Sequence, residues 1–178
     1  MKILLISPGL KTMDVYQTKA RGCMPPLNLM YIAALLLKHG HEVSILDLYA
    51  GELSEAEKLA RIKNFNPALV GLATYTASFD MAAEAAALVK NNLPGVKVAA
   101  GGIHASYLPE VCLKNGNMDF VVLGEGEETF LELAACLEKK GEISGVAGLA
   151  YRNGEKTVLT PPRKLAPDLN SLPWPAHH

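Results

Sequence analysis

Three short stretches carry the turns and side chains with chemical capacity. Gly101-Gly102-Ile103-His104-Ala105 and Gly124-Glu125-Gly126-Glu127 each follow a brief apolar run and lead into a helical pattern. Thr74, Tyr75 and Thr76 follow a third such run. Glycine in these places lets the backbone approach a bulky ligand that a Cβ would hold off. Hydroxyls, backbone amides and small residues suit a large neutral ligand bearing amide and ribose groups. The same residues also make ordinary helix caps and tight turns. Ser78 stands where an N-cap would precede Phe79, and Gly124-Glu125-Gly126 has the composition of a plain turn. Spacing alone leaves both readings open.

Several familiar anchoring devices are missing where they would be needed. A dinucleotide-binding turn wants GxGxxG after the first strand, but that strand runs into Ser7-Pro8-Gly9-Leu10-Lys11-Thr12. Gly124 and Gly126 follow the fifth strand instead. Thr129 occupies the third glycine position there, and Glu125, Glu127 and Glu128 would repel a pyrophosphate. No glycine-rich run ends in Lys-Ser or Lys-Thr, so there is no P-loop. The strand ends lack the acidic cluster with which a phosphoacceptor receiver holds magnesium. Cys23, Cys112 and Cys136 form no CxxC, so this stretch encodes neither a zinc knuckle nor an iron–sulfur cluster.

The elements that must position these turns alternate strand with helix. Apolar runs at 2–7, 42–46, 68–73, 97–100 and 120–123 read as strands. A helix opened by Pro26 and ended by Gly40 carries Leu29, Ile32, Ala33, Leu36 and Leu37 as one apolar stripe. Further helices are expected at 54–64, with Ser54 and Glu57 as a capping box, and at 79–91, 106–114 and 127–139. The strands are nearly continuous apolar runs, the pattern of a parallel sheet covered on both faces. The expected fold is α/β: a flavodoxin-like, Rossmann-like, doubly wound five-stranded parallel sheet in the order 2-1-3-4-5. In such sheets ligands bind at the carboxyl ends of the strands, where all three turns fall. After Gly141 the pattern changes. Runs at 147–152 and 156–160 flank Asn153-Gly154, a hairpin signal. A proline-rich stretch from 161 to 175 then reads as an extended linker. This divides the chain into an α/β domain over 1–141 and a hairpin with linker over 142–178.

Hydrophobic residues make up 49% and charged residues 20% of the 178, an ordinary globular balance. The formal net charge of −1, with no basic block, points to neither nucleic acid nor a membrane surface. The apolar runs are too short or too interrupted to span a bilayer, and no signal-peptide pattern follows Met1-Lys2. A cytoplasmic location is the expectation.

Four pieces in order then carry a likeness. They are Pro26-Leu27-Asn28-Leu29-Met30-Tyr31-Ile32-Ala33-Ala34-Leu35 with Gly40-His41-Glu42-Val43 and Asp47; Pro67-Ala68-Leu69-Val70-Gly71-Leu72 with Thr74 and Thr76; Gly101-Gly102-Ile103-His104-Ala105 with Leu108-Pro109-Glu110; and Gly124-Glu125-Gly126-Glu127 with Thr129-Phe130. Together they resemble the cobalamin-binding domain at the N-terminus of many radical S-adenosylmethionine enzymes. Leu172-Pro173-Trp174-Pro175 and the hairpin resemble the segment joining that domain to its radical barrel.

The resemblance implies a cobalamin along the strand-end edge. Gly101 and Gly102 would admit its nucleotide tail, and the Thr74-Tyr75-Thr76 turn would contact it. Ile103, His104, Gly124, Glu125 and Gly126 would complete that edge. Pro8, Gly9 and Leu10, after the first strand, would face the corrin. Cobalamin domains of mutases carry Asp-x-His-x-x-Gly in that loop, whereas Lys11-Thr12-Met13-Asp14-Val15-Tyr16-Gln17 has no histidine. A base-off cofactor with no histidine ligand from the first loop is therefore expected. The CxxxCxxC motif is also absent. The 4Fe-4S cluster and S-adenosylmethionine would then belong only to a missing barrel domain. The parent enzyme would perform methyl transfer or related radical chemistry, and this chain alone would show no turnover.

Individual residues keep plainer readings. His104 either contacts the cofactor or hydrogen-bonds across to the Gly124 turn. Glu125 either acts at the site or accepts N–H bonds in its own turn, and Asp47 reads as a cap. Two other functions stay open: a non-catalytic interaction or regulatory domain that kept the fold and lost the cofactor, and a flavin-binding electron carrier.

Overall fold

The computed structural model describes residues 1–9, 24–51, 53–114, 116–165 and 168–177. One seven-stranded sheet runs through it in the order β2-β1-β3-β4-β5-β6-β7. The strands are β1 (Lys2–Ser7), β2 (Glu42–Asp47), β3 (Leu69–Ala73), β4 (Lys97–Gly101), β5 (Phe120–Val122), β6 (Leu149–Asn153) and β7 (Lys156–Leu159). The first five are mutually parallel in the expected order. β6 and β7 extend the β5 edge as an antiparallel hairpin. Asn153 pairs with Lys156, so the two-residue turn is Gly154-Glu155 rather than Asn153-Gly154. Gly154 takes its first central position at φ +63, a conformation glycine enters without a Cβ penalty.

Among the described residues six α-helices cover the two faces: α1 (Leu27–Lys38), α2 (Glu55–Phe65), α3 (Phe79–Asn92), α4 (Ile103–Tyr107), α5 (Pro109–Lys114) and α6 (Glu127–Glu138). α1 and α6 pack on one face, where Leu29, Ala33, Leu36, Phe130 and Leu133 meet Ile3, Leu5, Leu69 and Ala99. α2, α3 and α5 pack on the other, where Ile62, Ala82, Val89 and Leu113 meet Leu4, Ile6, Val70 and Val98. Among the described residues no helix is long and apolar enough to cross a membrane.

Local chemistry explains the boundaries. Ser54 caps α2 as expected: its Oγ accepts from the Glu57 N–H, and its own N–H donates to Glu57 Oε2 at 2.8 Å. That pairing holds the exposed Glu57 carboxyl below its usual range. Asp47 accepts from the Tyr49 N–H at 3.0 Å, closing its own turn. Two further expectations need correction. Ser78 makes no cap bond to α3; its hydroxyl points back toward the Tyr75 carbonyl, over a short 3-10 turn at Thr76–Ser78. The helix expected at 106–114 is two helices, broken at Leu108 with φ −130 and ψ 53. Pro109 disfavours helical backbone in the residue before it and itself opens α5.

Candidate cofactor cleft

A cleft of about 440 Å³ opens at the carboxyl ends of the parallel strands, between the sheet and the pair α1 and α6. Parallel register sets its floor. Gly71 lies beside Ala99 and Ala73 beside Gly101, so two adjacent strands bring four small residues together. Side chains alternate across a strand, and these positions face the α1/α6 side with Leu5 and Val122. Leu29, Ile32 and Phe130 form the walls.

Four of the five glycines that line the cleft have different causes. A Cβ on Gly71 would lie 2.7 Å from Leu5 Cδ2 and 2.8 Å from the Phe130 ring, so this glycine makes room for packing. Gly102 has φ +105, and a Cβ there would sit 2.8 Å from the Thr74 carbonyl oxygen, so the turn itself demands glycine. At Gly101 the nearest atom would be 3.6 Å away, in Val122, so a Cβ would fit at ordinary contact distance and no neighbour demands its absence, at a position that lines the cleft. Gly124, at φ +69, has nothing within 4 Å of a Cβ.

Two hydroxyls brace the turns. Thr74 is fully buried; its Oγ1 donates to the Gly101 carbonyl at 2.8 Å and accepts from the Ala105 N–H at 3.2 Å. Ser106 Oγ donates to the Gly102 carbonyl at 2.9 Å and accepts from the Gly124 N–H at 3.0 Å, tying the two glycine turns together. The bond across to the Gly124 turn thus comes from Ser106 and not from His104. His104 turns the other way, stacks on Phe79 at 4.2 Å and shares a hydrogen bond with Thr76 Oγ1. Its Nε2 is buried without a partner among the described residues. A bare acceptor is the cheaper orphan, which favours the tautomer with Nδ1–H donating to Thr76.

The structure therefore divides the expected site residues. Tyr75, Gly101, Gly102, Ile103, Gly124, Glu125 and Gly126 line the cleft. Thr74, Thr76 and His104 stand behind the lip. Pro8 and Gly9 are buried away from it, and a Cβ on Gly9 would face the Leu48 carbonyl at 3.0 Å. Leu10 lies outside the described residues. No donor reaches the Glu125 carboxylate among the described residues, so it does not close its own turn.

Residues outside the expected site set also line the cleft, Asn28, Ser106, Glu127 and Phe130 among them, and Tyr107, open to either lining a ligand face or packing on a helix, lines it too. Glu127 is half-buried at the start of α6; desolvation foremost, then Glu125 and Glu128 nearby, push its carboxyl above the ordinary value. Ile103 and Tyr107 are 64% and 82% exposed, so the lip is apolar as well as open. No Lys, Arg or His lines the cleft among the described residues, while Glu125 and Glu127 do.

Known proteins share this architecture. A family model for the B12 binding domain matches residues 13–134. An uncharacterized methyltransferase of Pyrococcus horikoshii is 35% identical over 99% of this chain, and an anaerobic magnesium-protoporphyrin IX monomethyl ester cyclase of Synechocystis is 30% identical over 96%. The chain spans 38% and 34% of the length of these relatives. The radical S-adenosylmethionine methyltransferase TsrM from Kitasatospora setae, solved with cobalamin and a [4Fe-4S] cluster bound, superposes over 99% of this chain and 31% of its own, with a TM-score of 0.75 at 22% identity. OxsB, a cobalamin-dependent S-adenosylmethionine radical enzyme solved with aqua-cobalamin and S-adenosylmethionine, matches 92% of this chain and 22% of its own at a TM-score of 0.77 and 16% identity.

Proposed function

This chain belongs to the B12-binding domain family, and from that premise we propose that it holds cobalamin with the nucleotide tail in the cleft beneath α1 and α6. The observation that carries the proposal is the cleft lined by Gly101, where a Cβ would meet nothing closer than 3.6 Å, so this glycine is not needed to make room for a neighbour. Gly101, Gly102, Gly124 and Gly126 allow backbone approach. Tyr75 and Tyr107 offer aromatic faces, and Glu125 and Glu127 accept hydrogen bonds from amide or ribose groups. Leu29, Ile32 and Phe130 exclude water from the tail. The bound cofactor supplies cobalt-centred methyl transfer or related radical chemistry, while this chain binds and orients it.

With the nucleotide tail drawn into the cleft the cofactor would be held base-off, and with no histidine between Leu10 and Pro25 the first loop would supply no imidazole to cobalt. The 4Fe-4S cluster and S-adenosylmethionine belong to a separate radical barrel, toward which residues 142–178 lead. The domain by itself turns nothing over.

Charge separates this reading from a flavin mononucleotide carrier. A terminal phosphate dianion wants a cation or a free helix N-terminus. Here Glu127 and Glu128 already occupy the first turn of α6. Cobalamin carries a phosphodiester balanced by its cationic corrin and meets less repulsion. Purified chain mixed with hydroxocobalamin or flavin mononucleotide and desalted should stay red with the first and colourless with the second. A colourless corrinoid sample, or preferential retention of flavin, overturns the proposal. Electron paramagnetic resonance of the reduced bound corrinoid should lack nitrogen superhyperfine splitting, and its presence would refute the base-off assignment.

A further inference from the structure

The densest polar contacts outside the cleft fasten the segment after β7 onto α6. Arg163 Nε donates to Thr129 Oγ1 at 2.7 Å. Its Nη1 donates to Glu128 at 3.3 Å and to Glu132 at 3.1 Å. Its Nη2 reaches the second Glu132 oxygen and the Ala147 carbonyl. Thr129 is fully buried and donates its own hydroxyl to Ala147 at 3.1 Å. Exposed ion pairs stabilise little, but the Arg163 side chain is only 16% exposed and uses both prongs of its fork.

The chain then crosses to the other helix that covers the cleft. The Ala176 N–H donates to the Met30 carbonyl at 3.1 Å, inside α1. Ala176 is buried in the same core cluster as Leu29, Ala33 and Phe130. Between these anchors two described leucines are not packed down. Leu165 and Leu169 are 77% and 75% exposed, and a cavity of about 460 Å³ separates them from Leu123 and Glu127 at the lip.

We propose that residues 161–165 and 168–176 form a strap whose anchors at Arg163 and Ala176 fix the spacing of α6 and α1. Arg163 is thereby a positioning residue for a cleft it does not touch. α1 supplies Leu29 and Ile32 to the cleft wall and α6 supplies Phe130, so their spacing sets its width. A tie at two points fails at both helices when either end is cut. The spacing claim stands on these contacts alone; its consequence for ligand retention rests on the corrinoid reading.

Amide hydrogen exchange on the ligand-free chain tests the spacing. Arg163→Ala should speed exchange about tenfold in α1 as well as in α6, with Arg163→Lys intermediate because it keeps the charge and loses the fork. Ala176→Pro, which removes the N–H given to Met30, should speed exchange in α6 and serves if the first variant folds poorly. Faster exchange confined to the mutated end, with the opposite helix within about twofold of wild type, overturns the strap. Hydroxocobalamin dissociation from Arg163→Ala should likewise quicken about tenfold. Loosened helices with an unchanged dissociation rate refute the coupling to the cleft. A wild-type chain that retains no cobalamin sinks the corrinoid reading, while the exchange result still decides the strap.

Discussion

The two faces of the sheet use the same strands and end as opposites. Toward α2 and α3, Leu4, Ile6, Val70, Leu72, Val98 and Val121 fill the interface, and a pocket on that side measures about 70 Å³. Toward α1 and α6, Gly71, Ala73, Ala99 and Gly101 stand at the alternate positions, and about 440 Å³ is open. Because successive side chains point to opposite faces, a few small residues at period two hollow one face and leave the backbone ladder intact. Each large side chain forgone gives up roughly 1.5–3 kcal/mol of burial. An occupant that binds only the folded state returns such stability by mass action. The filled face holds the fold, and the hollow face is where a ligand makes up the difference.

Substitutions sharpen that contrast. Leu4→Ala on the filled face should cost about 2–5 kcal/mol in denaturant unfolding, with corrinoid retention unchanged under folding conditions. If the loss falls below about 1 kcal/mol, the face is not close-packed. Next come two glycines that share the hollow face. Gly71→Ala forces a methyl against Leu5 and Phe130 and should cost about 1–3 kcal/mol, whereas Gly101→Ala meets nothing closer than 3.6 Å and should leave stability within about 1 kcal/mol or raise it. Equal costs at the two sites would contradict the distinction between packed and open floor.

The smallest effect concerns Glu127. Its carboxyl is harder to ionise in the folded chain than in the unfolded one, so folding loses stability as pH rises above the ordinary value of 4.5, and the loss is complete above the raised folded value. Glu127→Gln removes that titration. Its melting temperature should exceed wild type by roughly 1–3 °C at pH 7 and match it at pH 4. A pH-independent difference would place the cause elsewhere.

Much of this was legible in the sequence, for identifiable reasons. Continuous apolar strands and helical stripes report the local period, so most elements emerged directly, while the sheet order came from the common order of doubly wound folds. The glycine turns also stood out, because glycine at a strand end is a local signal. The cleft floor did not. Gly71 and Ala99 become neighbours only through strand register, which no local window contains. Ser106 and His104 could each reach across a turn, and the choice rests on Phe79, whose ring captures His104. Glu127 was hidden in plain view: its motif was noted, but its burial depends on how α6 leans over the sheet. Pro109 was the readable sign of the break between α4 and α5, and the apolar pattern on either side masked it.

Gly101→Leu, compared with Gly101→Ala, tests the central claim most directly. The leucine sits at a strand position with no left-handed backbone, its Cβ at ordinary contact distance from Val122, and its longer side chain would take up cleft volume. After mixing with hydroxocobalamin and desalting, the alanine variant should keep most of its red chromophore. The leucine variant should be colourless while melting within a few degrees of wild type. A folded Gly101→Leu chain that holds corrinoid as firmly as wild type would show that the cleft is not where the cofactor sits.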